Sequence, residues 1–288
     1  MKQAVIDMGS NSLRLLLAEK RSEKWYFGDK NIVTTRLGMG VAETGVLSAN
    51  SMGSSMAALS KWKQQLGSVP VLVIATSAIR EATNGNSFMT RIADQFGWQT
   101  RILSGEEEAR FSFIGAGGNH FVGTKAVIDI GGGSTEVAVG NNGQLTWAHS
   151  YELGAVRCKF PEVTTASDIT ELMDFCESHW QSMPTPSTVI GVGGTLTSVA
   201  AMALSLRIYD PSRIHGYRLS RIALAKQIIR LTAMTFTERQ QIAGLQPIRA
   251  DIIIAGMTIA YSFMLHYEID ELQISEQDIL EGALITLG

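Results

Sequence analysis

Asp129 and Ile130 are followed by three glycines and then by Ser134, Thr135 and Glu136, within the stretch AVIDIGGGSTEVAVG that runs from Ala126 to Gly140. Consecutive backbone N–H groups in a glycine turn make a concave nest that suits phosphate oxygens. Glycine lets such groups approach a ligand with no Cβ in the way, and tolerates positive φ. A carboxylate beside a nest repels phosphate, so Asp129 suits a cation or a water instead. The plain alternative is a β-hairpin turn that simply needs glycines. Against it stands a second copy: AVIDMGSNSLRLLLA, from Ala4 to Ala18, repeats the pattern at a constant offset. Asp7 matches Asp129, Gly9 matches Gly131, Ser12 matches Ser134, and Arg14 falls where Glu136 stands. Two copies of one turn predict two related domains facing each other across a cleft.

Three further segments carry candidate chemistry. SGEEEARFSFIGA begins at Ser104, and Ser104 with Glu107 has capping-box spacing for a helix entering at Gly105. Acids in a first turn also complement the helix dipole, so Glu106, Glu107 and Glu108 have an ordinary structural explanation. Glu107 nevertheless stands at the C-terminal end of a strand, where open α/β sheets place ligands. VIGVGGTLTSVAAM, residues 189–202, reads as strand, Gly193–Gly194 turn and helix. That turn fits a nucleotide's sugar and base, or a tight connection, equally well. From Arg207 to Arg230, six Arg and Lys residues oppose only Asp210, with His215 and Tyr217 among them. A solvated helix face, or a basic rim drawing a long anion toward the cleft, accounts for this.

The elements that must position these residues follow from periodicity and turn chemistry. Strands are expected at residues 2–6, 12–19, 71–75, 99–103, 145–151 and 269–275, with one at 25–35 broken at Gly28–Asp29. Helices are expected from Ser48, as N-cap, to Leu66 with Gly67 closing, at 88–96, after Ser104, briefly after Gly154 through 160, at 167–181, from Pro247 to 266, and at 276–287. The 167–181 helix has Ile169, Leu172, Met173, Phe175, Cys176 and Trp180 on its apolar face. The alternation of strands and helices predicts an α/β protein of two similar domains. A Rossmann unit is excluded because the first glycine turn leads into the strand-like SLRLLLAE, and a P-loop because no GK[ST] occurs.

Composition narrows the class. A chain of 288 residues with 45% apolar and 18% charged residues suits two domains with sizeable cores. A net charge of −3 excludes a strongly basic nucleic-acid binder. Cys158 and Cys176 are the only cysteines, too few and too isolated for a disulfide framework or zinc site. The N-terminus runs directly into a strand, and no apolar run reaches the ~20 residues of a membrane span. A soluble cytoplasmic protein is the expectation.

The duplicated DMGSNS and DIGGGSTE turns, with the later GVGGT, resemble the actin, sugar-kinase and heat-shock-protein-70 superfamily. More narrowly, IDMGSNS, TRLG, ATSAIREA, SGEEEAR, IDIGGGSTE, GAVR, GVGGT, IHGYRLS, RADII and the terminal EGAL resemble, in order along nearly the whole chain, the exopolyphosphatase/guanosine pentaphosphate phosphohydrolase family. The resemblance implies two actin-like (ribonuclease H-like) α/β domains flanking a cleft. Residues 1–117 with a C-terminal helix at 276–288 would form the first and 118–275 the second. It implies hydrolysis of a terminal phosphoanhydride, from inorganic polyphosphate or from guanosine pentaphosphate. Glu107 would be the base, Asp129 and Glu136 would orient water or a metal ion, and Arg80 would offset charge. Ser10, Asn11, Ser12, Gly131, Gly132, Gly133, Ser134, Gly193 and Gly194 would contact phosphate. Mg2+ would bind through Asp7, Asp129 and Glu136, with Arg213, His215 and Arg218 as a polyphosphate rim. Relatives commonly form homodimers. The short two-domain form lacks the extra helical region of longer relatives, which favours shorter chains. A kinase or ATPase of the superfamily and a non-catalytic anion sensor are the competing classes. Acids facing phosphate serve no purpose in a sensor.

Overall fold

The computed structural model describes residues 1–159 and 163–287. Eleven strands form two sheets among these residues. The first contains β1 (Lys2–Met8), β2 (Ser12–Arg21), β3 (Lys24–Thr34), β4 (Val71–Ala75) and β5 (Gln99–Ile102), in the order β3-β2-β1-β4-β5. The second contains β6 (Thr124–Ile130), β7 (Thr135–Asn141), β8 (Gln144–Tyr151), β9 (Thr188–Val192), β10 (Arg218–Ser220) and β11 (Glu271–Ile274), in the order β10-β11-β9-β6-β7-β8. In each sheet an antiparallel meander of three strands is extended by two parallel strands on the side of its first member, and the second sheet adds the short antiparallel β10 at that edge. The two α/β units read from the sequence therefore share one strand plan.

The helices before the second sheet are α1 (Val41–Thr44), α2 (Ala49–Leu66), α3 (Ser77–Glu81), α4 (Gly85–Phe96) and α5 (Gly105–Gly115). Those after its meander are α6 (Ala166–Glu177), α7 (Gly193–Ala203), α8 (Pro211–Ile214), α9 (Arg221–Thr232), α10 (Phe236–Arg239), α11 (Ile253–His266) and α12 (Ile279–Leu287). Ser48 caps α2 by accepting the Ser51 N–H, as its sequence predicts. The break expected at Gly28–Asp29 is a β-bulge: pairing moves from Leu16↔Lys30 to Ala18↔Phe27, so strand β3 continues. The helix expected from Pro247 is a single 3-10 turn, Pro247–Arg249, and α11 begins only at Ile253. The last helix starts at Ile279 rather than residue 276, because Asp278 caps it by accepting the Leu280 N–H at 3.1 Å. Phe160, at the end of the short helix expected after Gly154, and Gly288 lie outside the described residues.

Helix α5 sits between the two sheets. Ala109 and Phe113 pack with Val127, Ala138, Ile190 and Val192 of the second sheet. Phe111 turns the other way, joining Val5, Leu16 and Leu280 in a core shared by the first sheet and α12. Helices α5 and α12 cross with backbones almost touching: a Cβ on Gly115 would lie 1.7 Å from the Asp278 carbonyl, and one on Gly282 would lie 1.9 Å from that of Phe111. On α6, which ends at Glu177 rather than 181, Leu172 and Cys176 are buried, with buried Trp180 beyond its end, but Phe175 is 47% exposed and so stands off the apolar face assigned to it.

Candidate active site

The repeated sequence makes a repeated turn. Gly9 N–H donates to Ser12 O at 3.2 Å, and Gly131 N–H donates to Ser134 O at 3.0 Å. The same bond therefore closes both hairpins, β1–β2 and β6–β7. The hairpins face one another in contact. A Cβ on Gly132 would lie 2.9 Å from the Ser10 Cβ, and one on Gly133 would lie 2.2 Å from the Ser77 hydroxyl oxygen. Positive φ is not what these glycines supply, since Gly9 and Gly131 to Gly133 all lie outside the left-handed region. Gly132 and Gly133 are glycines because a side chain would hold the turns apart, whereas a Cβ on Gly9 or Gly131 would crowd its own turn, 3.0 Å from Ser12 O and 3.1 Å from Ser134 O. Gly193 is different: its φ is +84°, and a Cβ there would meet Asp129 Oδ1 at 2.3 Å.

Between the turns lies a cleft of about 90 Å³ at the C-terminal ends of the parallel strands. Ser10, Asn11, Ser12, Gly131, Gly132, Ser134, Gly193 and Gly194 line it, together with Asp7, Asp129 and Glu136. Gly133 instead borders a small adjoining space, and its carbonyl accepts from Arg157 Nε at 2.7 Å.

The acids are buried and compete for few partners. Strand register sets Asp7 opposite Arg14 and Asp129 opposite Glu136. In the first hairpin this pairs opposite charges, with Arg14 donating to Asp7 Oδ2 from Nε at 2.9 Å and from Nη2 at 2.7 Å. In the second it sets like charges side by side, which is destabilising. Burial, and then the Asp129 charge, push Glu136 up to about 7 despite the hydroxyls of Ser134 and Ser150. Burial and then Asp278 push Asp129 up to about 6. Ser112 Oγ of α5 donates to Asp129 Oδ2 at 2.7 Å, and Ser150 Oγ donates to Glu136 Oε1 at 2.7 Å.

The helix-borne acid that lines the cleft is Glu108; Glu107, expected there as the base, does not line it. Glu107 is pinned at the third helical position, accepting the Ser104 N–H at 2.9 Å while its own N–H donates to Ser104 Oγ at 3.2 Å. It also pairs with Arg101, its side chain is 33% exposed, and the Ser104 N–H holds its carboxyl below the usual range. One residue on, the helix has turned by about 100°, and Glu108, 4% exposed, lines the cleft. Burial, and next the Glu136 charge, lift Glu108 well above an ordinary glutamate, while its ion pair with Arg80 opposes that rise. Arg80 does not line the cleft; it fixes Glu108 from behind and donates to the Leu103 carbonyl at 2.9 Å.

Two cations absent from the sequence-based set are present. Arg14 is locked between Asp7 and Asp278, whose Oδ2 accepts from Nη1 at 2.6 Å. Arg249, 9% exposed, lines the cleft; among the described residues it has no carboxylate partner, and its Nε–H donates to Gln246 Oε1 at 3.2 Å. Burial, and then Arg14, push its pKa down to about 10. Its place in RADII was the one sequence signal for it. Arg213, His215 and Arg218 are not brought to the cleft. Arg218 is spent on Glu271 at 2.6 Å at the outer edge of the second sheet, and His215 Nδ1 accepts the Glu276 N–H at 3.4 Å.

Among the described residues no three His, Cys, Asp or Glu side chains converge as a metal cage, so Asp7, Asp129 and Glu136 do not form one. One oxygen of each is already taken by Arg14, Ser112 or Ser150. Yet Asp7 Oδ1 is buried without a partner, and Mg2+ needs only one or two carboxylates when water and phosphate complete its shell. The residues fit a cation shared with substrate.

Raised carboxyl pKa values make a stability prediction. Between its ordinary 4.5 and about 7, the folded chain keeps a proton on Glu136 that the unfolded chain has released. Stability therefore falls as pH rises through that window and stays lowered above it. Glu136→Gln removes the penalty, on the order of 1–3 kcal/mol. Its melting temperature is expected to exceed wild type by roughly 2–8 °C at pH 8 and by little at pH 4, with catalysis impaired. Thermal melts at the two pH values check this.

Known proteins carry the same architecture. Exopolyphosphatase 2 of Mycobacterium tuberculosis is 30% identical over 99% of this chain and 98% of its own. A Pseudoalteromonas translucida protein named guanosine-5'-triphosphate,3'-diphosphate pyrophosphatase is 24% identical over 99% of this chain and 59% of its own. The Ppx/GppA enzyme structure from Aquifex aeolicus superposes with a TM-score of 0.85 at 28% identity, covering 99% of both chains. The profile of the Ppx/GppA phosphatase family matches residues 5–287, and the chain belongs to that family.

Proposed function

We propose that this chain is a phosphoanhydride hydrolase that releases terminal orthophosphate from inorganic polyphosphate. The observation that carries the reading is the meeting of two identically closed turns over a buried, arginine-backed glutamate. Each closing bond uses the first glycine's N–H, which leaves the intervening N–H groups of residues 10–11 and 132–133 for phosphate oxygens. Arg249 offsets the charge behind the terminal group, beside Arg14, whose charge is shared with Asp7 and Asp278. Glu108 takes a proton from water, whose oxygen bonds to the terminal phosphorus as the bridging P–O bond breaks. The products are orthophosphate and a chain one unit shorter. Phosphoryl transfer is mostly positioning and charge stabilisation, and these groups supply both. Arg80 keeps the Glu108 carboxylate aimed, and Ser112 and Ser150 do the same for Asp129 and Glu136. Bound Mg2+ would be held by Asp7 and Asp129 and would withdraw charge from the phosphate oxygens.

Guanosine pentaphosphate is the second reading, supported by the Pseudoalteromonas relative's name. Phosphate release measured with Mg2+ on tripolyphosphate, long polyphosphate, ATP and guanosine pentaphosphate separates the readings. Release from the inorganic chains, lost on chelation, is expected. Release from guanosine pentaphosphate alone establishes the second reading, and turnover of ATP alone restores the ATPase class.

A further inference from the structure

Behind the cleft lies a second, larger chamber of about 560 Å³. Arg14, Gly193, Gly194 and Arg249 line both spaces and so form a collar between them. A further bordering space of about 20 Å³ is lined by Glu81 and Arg157, which pair with each other. The collar gives a substrate whose terminal phosphate lies between the turns a route for its tail into the chamber.

The charges beyond the collar are of the wrong sign for a polyanion. Lys30 is consumed there by Asp278 and Glu281, both at 3.1 Å, and Arg14 by Asp7 and Asp278. Asp29 and Glu276 also line the chamber, and neither makes an ion pair. Glu276 is held in place by Tyr209, whose hydroxyl donates to Oε1 at 2.5 Å. Among the described residues Arg249 at the collar, 9% exposed, lacks a carboxylate partner, while Asp29 and Glu276, without an ion-pair partner of their own, stand past it.

Resting on the polyphosphatase reading, we propose that the chamber is a length filter. Short linear phosphoanhydrides end at the Arg14–Arg249 collar and are accepted. Longer chains must lay further phosphates along Asp29 and Glu276, and are disfavoured. Asp29 and Glu276 are specificity-determining residues that act by repulsion, without contacting the reacting atoms.

The test compares kcat/KM for long-chain polyphosphate with that for tripolyphosphate, in wild type and in Asp29→Asn/Glu276→Gln. Removing two like charges is expected to raise the long-to-short ratio roughly threefold to tenfold. The difference between the enzymes should shrink as salt screens the repulsion. Asp29→Lys alone, at an exposed strand position, should move the ratio the same way. A ratio unchanged in both variants overturns the filter while leaving the polyphosphatase reading intact. A wild type that releases phosphate from neither chain overturns both.

Discussion

Replacing Glu108 with glutamine is expected to lower kcat by about 10²–10⁴-fold, the usual contribution of a positioned general base. Glutamine keeps the size and a carbonyl oxygen for Arg80, so KM should change little. The neighbouring change Glu107→Gln should alter kcat by no more than about twofold. That residue's work is structural: it accepts the Ser104 N–H and pairs with Arg101 at the surface, which a modest loss of stability would report. Steady-state phosphate release by the two variants checks the contrast. Equal losses in both, or a loss only at Glu107, would return the base to the exposed acid.

Arg249→Met should act on binding and on stability with opposite signs. Charge-assisted hydrogen bonds to phosphate contribute about 1.5–3 kcal/mol, so KM is expected to rise roughly tenfold to a hundredfold. The same guanidinium is buried beside Arg14 with no carboxylate to offset it. A flexible apolar side chain of similar length removes that desolvation, and the free protein should gain about 1 kcal/mol. A rise of roughly 2–4 °C in melting temperature would express it. Kinetics paired with a thermal melt decides the matter. A variant that loses both affinity and stability would mean that Arg249 holds the fold together rather than waiting for an anion.

The sequence showed best what is decided locally. The bond from Gly9 to Ser12 and that from Gly131 to Ser134 span three residues, so two similar strings had to give two similar turns. The Ser48 cap and the apolar run Val71–Ala75 were legible for the same reason. What was misread depends on direction or on distant partners. The choice between Glu107 and Glu108 is a rotation about one helix, though Ser112, one turn from Glu108 on the same face, was a usable pointer because it reaches Asp129. The basic segment looked like a rim because its partner Glu271 lies far along the chain. Arg249 gains its meaning from an absent partner, which no local pattern displays. The glycines of the turn were assigned backbone freedom, whereas for Gly132 and Gly133 the close approach of Ser10 and Ser77 from the other side is what requires them.

The central claim is that both turns grip one terminal phosphoryl group within reach of Glu108. A crystal structure of Glu108→Gln with tripolyphosphate and Mg2+ tests it most directly. Density for the terminal phosphate is predicted between residues 9–12 and 131–134, with the remaining phosphates passing Arg14 and Arg249 and the residue 108 side chain facing an in-line water. Phosphate bound outside those turns, or turns that separate when substrate arrives, would contradict it.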